Sequence, residues 1–461
     1  MRLILQKSLL LLRRQLYNFV CHEEDVSRAF LRMRIHQMCV PINIPWLTSC
    51  LLSMLMVSAC GFSTGLAEPV HYSSLTEARP HIHDLGIKIG QYESGEWNAI
   101  TDVSGVKVGH VTINKGTGEL NPGHGPIRTG ATVIIPRDDV WNQKVPAGAF
   151  VLNGTGEMTG LAWIAESGFL EYPIALTNTL NVPRVADGVM SWMIKEYPGI
   201  GITDDTLTPV VAECDDSRLN DSQGRHVSSE EVVQALDKAD SGPVQEGSVG
   251  AGTGMVSYQF KGGIGTASRV LPKEEGGYRV GVLVNANHGR RHDFTMAGVP
   301  VGRLYSNEKN TEAKAATAPL LHTKTFRSQK RQDSGSVIII VATDAPLDSR
   351  QLSRLSKRAT IGLARTGSIA HHGSGDFVLA FSTGNIIPHY PKDLTFEMTH
   401  LADTHLNPLF QATVEATEEA ILNALLQART VTGRDGRRFE AISIEQVRSI
   451  LATYPSSKSK E

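Results

Sequence analysis

The sequence predicts an α+β protein in four layers, helix–sheet–sheet–helix (αββα). Three observations carry that expectation. In both halves of the chain, short strand-like runs come in pairs with helical patterns on either side, an order that suits two facing sheets better than a parallel βαβ array. The 43 glycines follow no collagen period and punctuate the text as tight turns do. Hydrophobic residues make up 41% and charged residues 20% of the 461, an ordinary globular composition. The formal net charge of -2 gives no electrostatic footprint for a polyanion, so nucleic acid is not expected as a partner.

Residues 1–67 read as an N-terminal extension and export signal. The uncharged run "WLTSCLLSMLMVSA" (46–59) is shorter than the roughly 20 residues of a membrane span and suits the core of a signal peptide. It leads into "VSAC", which resembles a bacterial lipobox with Cys60 as the lipidated residue; a second cleavage point follows Ala67. Residues 1–32 are read as an over-extended gene start, with Met33 or Met38 as initiator. The expected location is the periplasm of a bacterial envelope, or its membrane surface through a lipid on Cys60. Four of the five cysteines lie in the first 60 residues, leaving Cys214 as a small buried hydrophobe.

From about Leu85 the pattern becomes regular. "NAITDVSGVKVGHVTI" (98–113), "RTGATVIIPR" (128–137) and the start of "GAFVLNGTGEMTG" (148–160) read as strands bounded by turn residues. Helical spacing marks 159–173, closed by Gly168 and stopped by Pro173, and 186–198. In "SSEEVVQALDKADSGP" (228–243), Ser228 or Ser229 caps a helix, Glu230 and Glu231 favour its positive end, and Gly242-Pro243 halts it. Strands are expected over 255–271, 278–289 and 336–346. Helices are expected over 349–365, 411–428 and 443–455, with a glycine-turn segment at 373–384. The polar stretch 305–335 reads as a mobile surface loop within the second half.

The chemistry centres on "QEGSVGAGTGM" (245–255). A phosphate-binding Walker loop needs Lys-Ser/Thr after its last glycine, but Thr253-Gly254-Met255 follows Gly252. The dinucleotide fingerprint fails on spacing, and the Gly-x-Ser-x-Gly elbow fails because Gly247 directly precedes Ser248. Two readings remain: a flexible glycine turn, or a self-cleaving peptide. In the second, Gly247 leaves its carbonyl carbon open to the Ser248 hydroxyl. An N→O acyl shift and ester hydrolysis then free the α-amine of Ser248, whose reference pKa of roughly 7.7–8 suits a general base near neutral pH. One residue would supply both nucleophile and base.

The segments "NAITDVSGVKVGHVT", "RTGATVIIP", "LNGTGEMTG", "EGSVGAGTGM", "FKGGIGTASR", "VGVLVNANHGRR", "VATDAPL" and "GSGDFVLAFSTGN" resemble, in order, the DmpA-type aminopeptidases, also called L-aminopeptidase/D-esterases or β-aminopeptidases. The resemblance spans about residues 85–390. It implies an αββα sandwich similar to N-terminal-nucleophile hydrolases but differently connected. It also implies cleavage between Gly247 and Ser248 into an α chain (85–247) and a β chain (248–461) that stay together, assembled as a homo-oligomer. Ser248 is implied as nucleophile, and Asn220 in "SRLND" as oxyanion donor, with the backbone N–H of Val249 or Gly250 assisting. A family tyrosine is matched by Phe150, without its hydroxyl. In the strand carrying Asn287, a supporting serine and glutamate are matched by Ala286 and His288. The implied activity releases N-terminal residues from small peptides, amides or esters, without cofactor or metal. An acyltransferase like the ornithine acetyltransferases, which carry threonine at this point, and an unprocessed binding protein are the alternatives.

Three further groups are weaker. His81-x-His83 beside Asp84 reads as a solvated arm, "HGRRHD" (288–293) as a solvated strand end, and "GSGD" (373–376) as a turn or cleft floor.

Overall fold

Alternation along the strands decides the layering. The computed structural model describes residues 78–305 and 335–454; the export run, Cys60 and the interior of the expected loop lie outside them. In chain order the main strands and helices are β1 (Lys107–Lys115), β2 (Ile127–Ile135), β3 (Gln143–Gly154), α1 (Leu161–Ser167), β4 (Phe169–Leu170), β5 (Ile174–Thr177), α2 (Val182–Glu196), β6 (Val210–Glu213) and α3 (Ser229–Asp237). After Ser248 come β7 (Val256–Ser257), β8 (Phe260–Lys261), β9 (Gly263–Val270), β10 (Arg279–Asn287), β11 (Ser336–Thr343), α4 (Ser349–Arg365), β12 (Gly375–Ser382), β13 (Ile387–Pro388), α5 (Asn407–Leu426) and α6 (Ile444–Thr453).

One sheet has the order β1-β2-β5-β6 and the other β13-β3-β12-β11-β10-β9. On β11, Ile338, Ile340 and Ala342 enter the core shared with the smaller sheet, while Val337, Ile339 and Val341 enter the core under α4 and α5. Phe377, Leu379 and Phe381 of β12 face the first core, and Val378 and Ala380 the second. Because side chains alternate with period two, both faces of these strands must be apolar, as sheets covered on both sides require. Helices α2 and α3 contribute Val185, Val189, Val232 and Ala235 to the smaller sheet's cover. The four expected layers are therefore present.

The structure adds strands β4, β5 and β6 that the sequence reading does not mark and makes Gly375–Ser382, expected as a glycine-turn segment, the central strand β12; other differences lie at element edges. The start of 98–113 is a short 3-10 turn at Ile100–Asp102, and the strand begins only at Lys107. The run 255–271 breaks into β7, β8 and β9, because Tyr258 and Gln259 take positive φ (50° and 61°) in the tight turn of a two-stranded ladder. Cys214 is buried, with its Sγ 3.6 Å from the Asn285 carbonyl oxygen.

Candidate active site

The peptide between Gly247 and Ser248 lies against the edge strand β9. Gly247 and Ile264 form an antiparallel bridge, and the Gly247 carbonyl oxygen accepts two backbone N–H groups, from Ile264 and Val249, each at 2.9 Å. Only glycine suits this point: φ is 78°, and a Cβ would stand 2.5 Å from the Gln427 carbonyl oxygen. Gly263 faces the Gly247 carbonyl oxygen, which would lie 1.9 Å from a Cβ built there. The carbonyl is thus crowded by backbone and polarised by two donors, the arrangement that stabilises an oxyanion at that oxygen.

Ser248 is half-buried, and one residue brackets its hydroxyl. Oγ donates to the Arg429 carbonyl oxygen at 3.1 Å and accepts the Arg429 N–H at 3.2 Å. Arg429 stands just past the C-terminal end of α5, so that helix's packing sets where the hydroxyl points. The loop after Ser248 is held from the smaller sheet. Thr112 Oγ1 of β1 accepts the Gly250 N–H at 2.8 Å, and Thr132 Oγ1 of β2 accepts the Ala251 N–H at 3.1 Å. Of the two backbone groups singled out from the sequence, Val249 N–H is on the Gly247 carbonyl and Gly250 N–H is on Thr112.

Asn220 is fully buried. Its Oδ1 accepts the Arg128 N–H at 2.8 Å, and its Nδ2 donates to Asp216 Oδ1 at 3.0 Å. One carboxamide hydrogen beyond the Asp216 bond is left to donate. Burial pushes the Asp216 carboxyl up to about 7, against hydrogen bonds from Thr129, Asn220 and Ser222. Beside it stands Lys261, wholly buried. Its Nζ donates to the Gly252 carbonyl at 2.9 Å and the Gly262 carbonyl at 2.8 Å. Burial lowers this amine to about 7, with the Asp216 charge opposing. Lys261 therefore ties the glycine loop to the turn that leads into Gly263 and Ile264.

The other sequence candidates fall elsewhere. Asn287 holds the Val256 N–H on Oδ1 at 2.9 Å and gives Nδ2 to the Asp215 carbonyl at 3.0 Å, so it fastens the loop that carries Asp216. His288 is buried edge-on to Tyr258, ring centroids 5.1 Å apart, and neither ring nitrogen has a partner. Burial, with His371 adding repulsion, depresses its pKa to about 3, so the ring is neutral at physiological pH. Ala286 pairs with Gly263 across the β9–β10 ladder. Phe150 lies on β3 with Lys357 Nζ 5.5 Å from its ring centre. In strand order β3 is four places from β9, roughly 19 Å at the usual strand spacing, so Phe150 is not brought beside Ser248. His81 is not a free arm: its Nε2 lies 2.6 Å from Glu246 Oε2, one residue before Gly247.

Sequence reasoning missed Lys261, Asp216, Arg429, Thr112 and Thr132. Lys261, Thr112 and Thr132 lie inside the quoted segments "FKGGIGTASR", "NAITDVSGVKVGHVT" and "RTGATVIIP", yet no pattern marks them: the two threonines meet backbone N–H groups 138 and 119 positions away, and Lys261 meets the carbonyls of Gly252 and Gly262, which any residue could offer.

Comparison with known proteins agrees with this architecture. Residues 98–439 match the family described as Peptidase family S58. The chain is 43% identical over 381 residues to the beta-peptidyl aminopeptidase BapA of Sphingosinicella xenopeptidilytica, covering 82% of this chain and 92% of that protein. It is 40% identical to the beta-peptidyl aminopeptidase BapA of Sphingosinicella microcystinivorans, covering 81% and 92%. Among solved structures, the L-aminopeptidase D-Ala-esterase/amidase of Ochrobactrum anthropi, described as a prototype for the serine aminopeptidases with a new variant of the Ntn hydrolase fold, superposes with TM-score 0.71 at 38% identity, covering 82% of this chain and 99% of that one. A Burkholderia beta-aminopeptidase superposes with TM-score 0.72 at 40% identity, covering 82% and 100%. The chain belongs to peptidase family S58 and is a serine aminopeptidase on a variant of the Ntn hydrolase fold.

Proposed function

We propose that this aminopeptidase activates itself by cutting its own chain between Gly247 and Ser248. The observation that carries the reading is the Gly247 carbonyl, held by the N–H groups of Val249 and Ile264 with the serine hydroxyl on the next residue. Ser248 Oγ attacks the Gly247 carbonyl carbon, and the two donors stabilise the oxyanion. The C–N bond breaks, and the hydroxyl proton ends on the departing nitrogen. Water hydrolyses the ester, leaving a carboxylate on Gly247 and a free amine on Ser248.

In turnover that amine takes the Ser248 hydroxyl proton as Oγ attacks the substrate carbonyl, then delivers it to the leaving amine. The second Nδ2 hydrogen of Asn220 stabilises the tetrahedral oxyanion, and water resolves the acyl-enzyme. The substrates are small peptides, amides or esters read from their N-terminus. The two relatives named beta-peptidyl aminopeptidases support β-amino residues among them. The α and β chains remain associated, because strands from both sides of residue 247 share one sheet: β3 pairs with β12. Assembly into a homo-oligomer and export to the bacterial envelope, through the 46–59 run with Cys60 lipidated, belong to the same proposal.

The test is the intact mass of the purified protein beside its Ser248→Ala variant. Two fragments, the second beginning Ser-Val-Gly, and a single inactive chain for the variant are expected. A parent chain that stays whole yet hydrolyses an aminoacyl amide overturns the self-cleavage reading.

A further inference from the structure

The segment before the first strand carries a second cluster of ligating side chains, outside the proposed catalytic centre and upstream of the family match, which starts at residue 98. One ligand atom each from His81, His83 and Asp84 all lie within 4.8 Å of one another. His81 Nδ1 is 3.7 Å from one Asp84 oxygen, and His83 Nε2 is 3.2 Å from the other. Around a tetrahedral zinc, with bonds of roughly 2.0–2.1 Å, neighbouring ligand atoms stand about 3.3–3.4 Å apart. The two imidazole rings are stacked, 5.5 Å between centroids with planes 8° apart, so one ring must turn out of the stack for both nitrogens to reach one ion.

A second observation separates this cluster from a chance surface group. The buried carboxylate of Glu246 lies 2.6 Å from His81 Nε2. A carboxylate there holds the proton on Nε2 and leaves the Nδ1 lone pair directed to the ligand side, the outer-shell arrangement usual for metal-bound histidines. The loop beneath is also fixed. Between the two histidines, Ile82 is fully buried and its N–H donates to Asn423 Oδ1 at 3.1 Å. Arg79 donates to the carbonyl oxygens of Leu426 and Ile442. His83 and Asp84 are about half exposed, so an ion can reach them.

We propose that His81, His83 and Asp84 bind one divalent transition-metal ion, of the zinc or nickel class, with Glu246 as the outer carboxylate that orients His81. Two imidazoles and a single carboxylate suit such an ion better than calcium or magnesium, which take mostly oxygen ligands. Glu246 directly precedes Gly247, so the ion fastens the N-terminal segment to the end of the proposed α chain.

The test is calorimetric titration of the EDTA-treated, untagged full chain with zinc chloride, with nickel chloride and with calcium chloride. All four residues precede Ser248, so the parent and Ser248→Ala are titrated side by side, and the result does not depend on self-cleavage. One ion per chain is expected in both. His83→Ala and Asp84→Asn, both at exposed positions, are expected to weaken it at least tenfold, and Glu246→Gln about 10- to 100-fold, the usual effect of losing an outer-shell partner. Absence of binding, binding unchanged in His83→Ala, or calcium binding as tightly as zinc overturns the proposal.

Discussion

Gly247 and Ile264 exchange both of their backbone hydrogen bonds, at 2.7 Å from the Gly247 N–H and 2.9 Å back to its carbonyl. This pairing adds Gly247, whose carbonyl belongs to the peptide that the proposed reaction cuts, to the free edge of β9. It fixes the carbonyl before any chemistry begins, so stabilising the oxyanion requires little reorganisation.

Gly263→Ala should break that arrangement without touching the nucleophile. Its Cβ would fall 1.9 Å from the Gly247 oxygen and push Ile264 out of donor range. Loss of one oxyanion donor typically costs about 100- to 1,000-fold in rate. Processing, followed by denaturing electrophoresis over time, is expected to slow by that order while circular dichroism stays native. Cleavage at the parental rate would show that the Ile264 donor is not used.

The buried pair Asp216 and Lys261 should give stability two opposing limbs in pH. The folded Asp216 carboxyl is raised to about 7 from 3.8, so the folded state holds the extra proton between those values and stability falls as pH rises through them. The folded Lys261 amine is lowered to about 7 from 10.5, so the unfolded state holds the extra proton above 7 and stability rises toward pH 10. Urea melts across pH 4–10 are expected to show a minimum near 7 in this contribution. Asp216→Asn should flatten the acid limb and Lys261→Met the alkaline one. A parallel shift of the whole curve in both variants would contradict the assignment.

Asn220→Ala tests the donor proposed for catalysis and separates it from its structural share. The Arg128 N–H would lose its acceptor and Asp216 a donor, which costs about 1–3 kcal/mol for each buried group left unpaired. If the second Nδ2 hydrogen also serves the oxyanion, kcat should fall about 100- to 1,000-fold with KM little changed. A variant as destabilised as expected but with parental kcat would leave Asn220 a scaffold residue.

The layering was legible in the sequence because it is a local signal, and so is the Gly247-Ser248 peptide on which the proposed cleavage rests. Paired strands flanked by helices announce layers, and Gly247-Ser248 fails every phosphate-loop pattern while leaving a carbonyl open. The short strands β5 and β6 were not legible: at four residues each, buried on both faces, they have no alternation to show. The surroundings of Ser248 were hidden for a related reason. Arg429 is 181 positions away and acts through its backbone, so its side-chain identity carries no message. Lys261 looked like an ordinary charge in "FKGG", since only tertiary burial reveals that its ammonium carbon chain passes through the core. Phe150 was drawn to the site by a match of motif order, whereas strand order puts it on the far side of the sheet.

The last expectation concerns the helix that presents Arg429. Helix α5 is buried along nearly its whole length, and three of its residues in that buried stretch are acidic: Glu415, Glu418 and Glu419. Two of them are met by Arg269 from "TASR", with Nη2 2.6 Å from Glu419 and Nε 3.3 Å from Glu415. Glu415 also accepts the N–H groups of Gln91 and Tyr92, so the ion pair ties the N-terminal segment, β9 and α5 together. Removing one partner of a buried pair leaves the other charge uncompensated, at a cost of about 3–5 kcal/mol. Arg269→Met should therefore lose stability by that order in urea melts of the Ser248→Ala single chain. It should also slow processing in the active background, because α5 sets the height of Arg429 against the Ser248 hydroxyl. A triple replacement, Arg269→Met with Glu415→Gln and Glu419→Gln, removes every uncompensated charge and should recover part of the loss. If Arg269→Met alone melts like the parent, the pair contributes nothing to holding α5, and the position of Arg429 must rest on apolar packing alone.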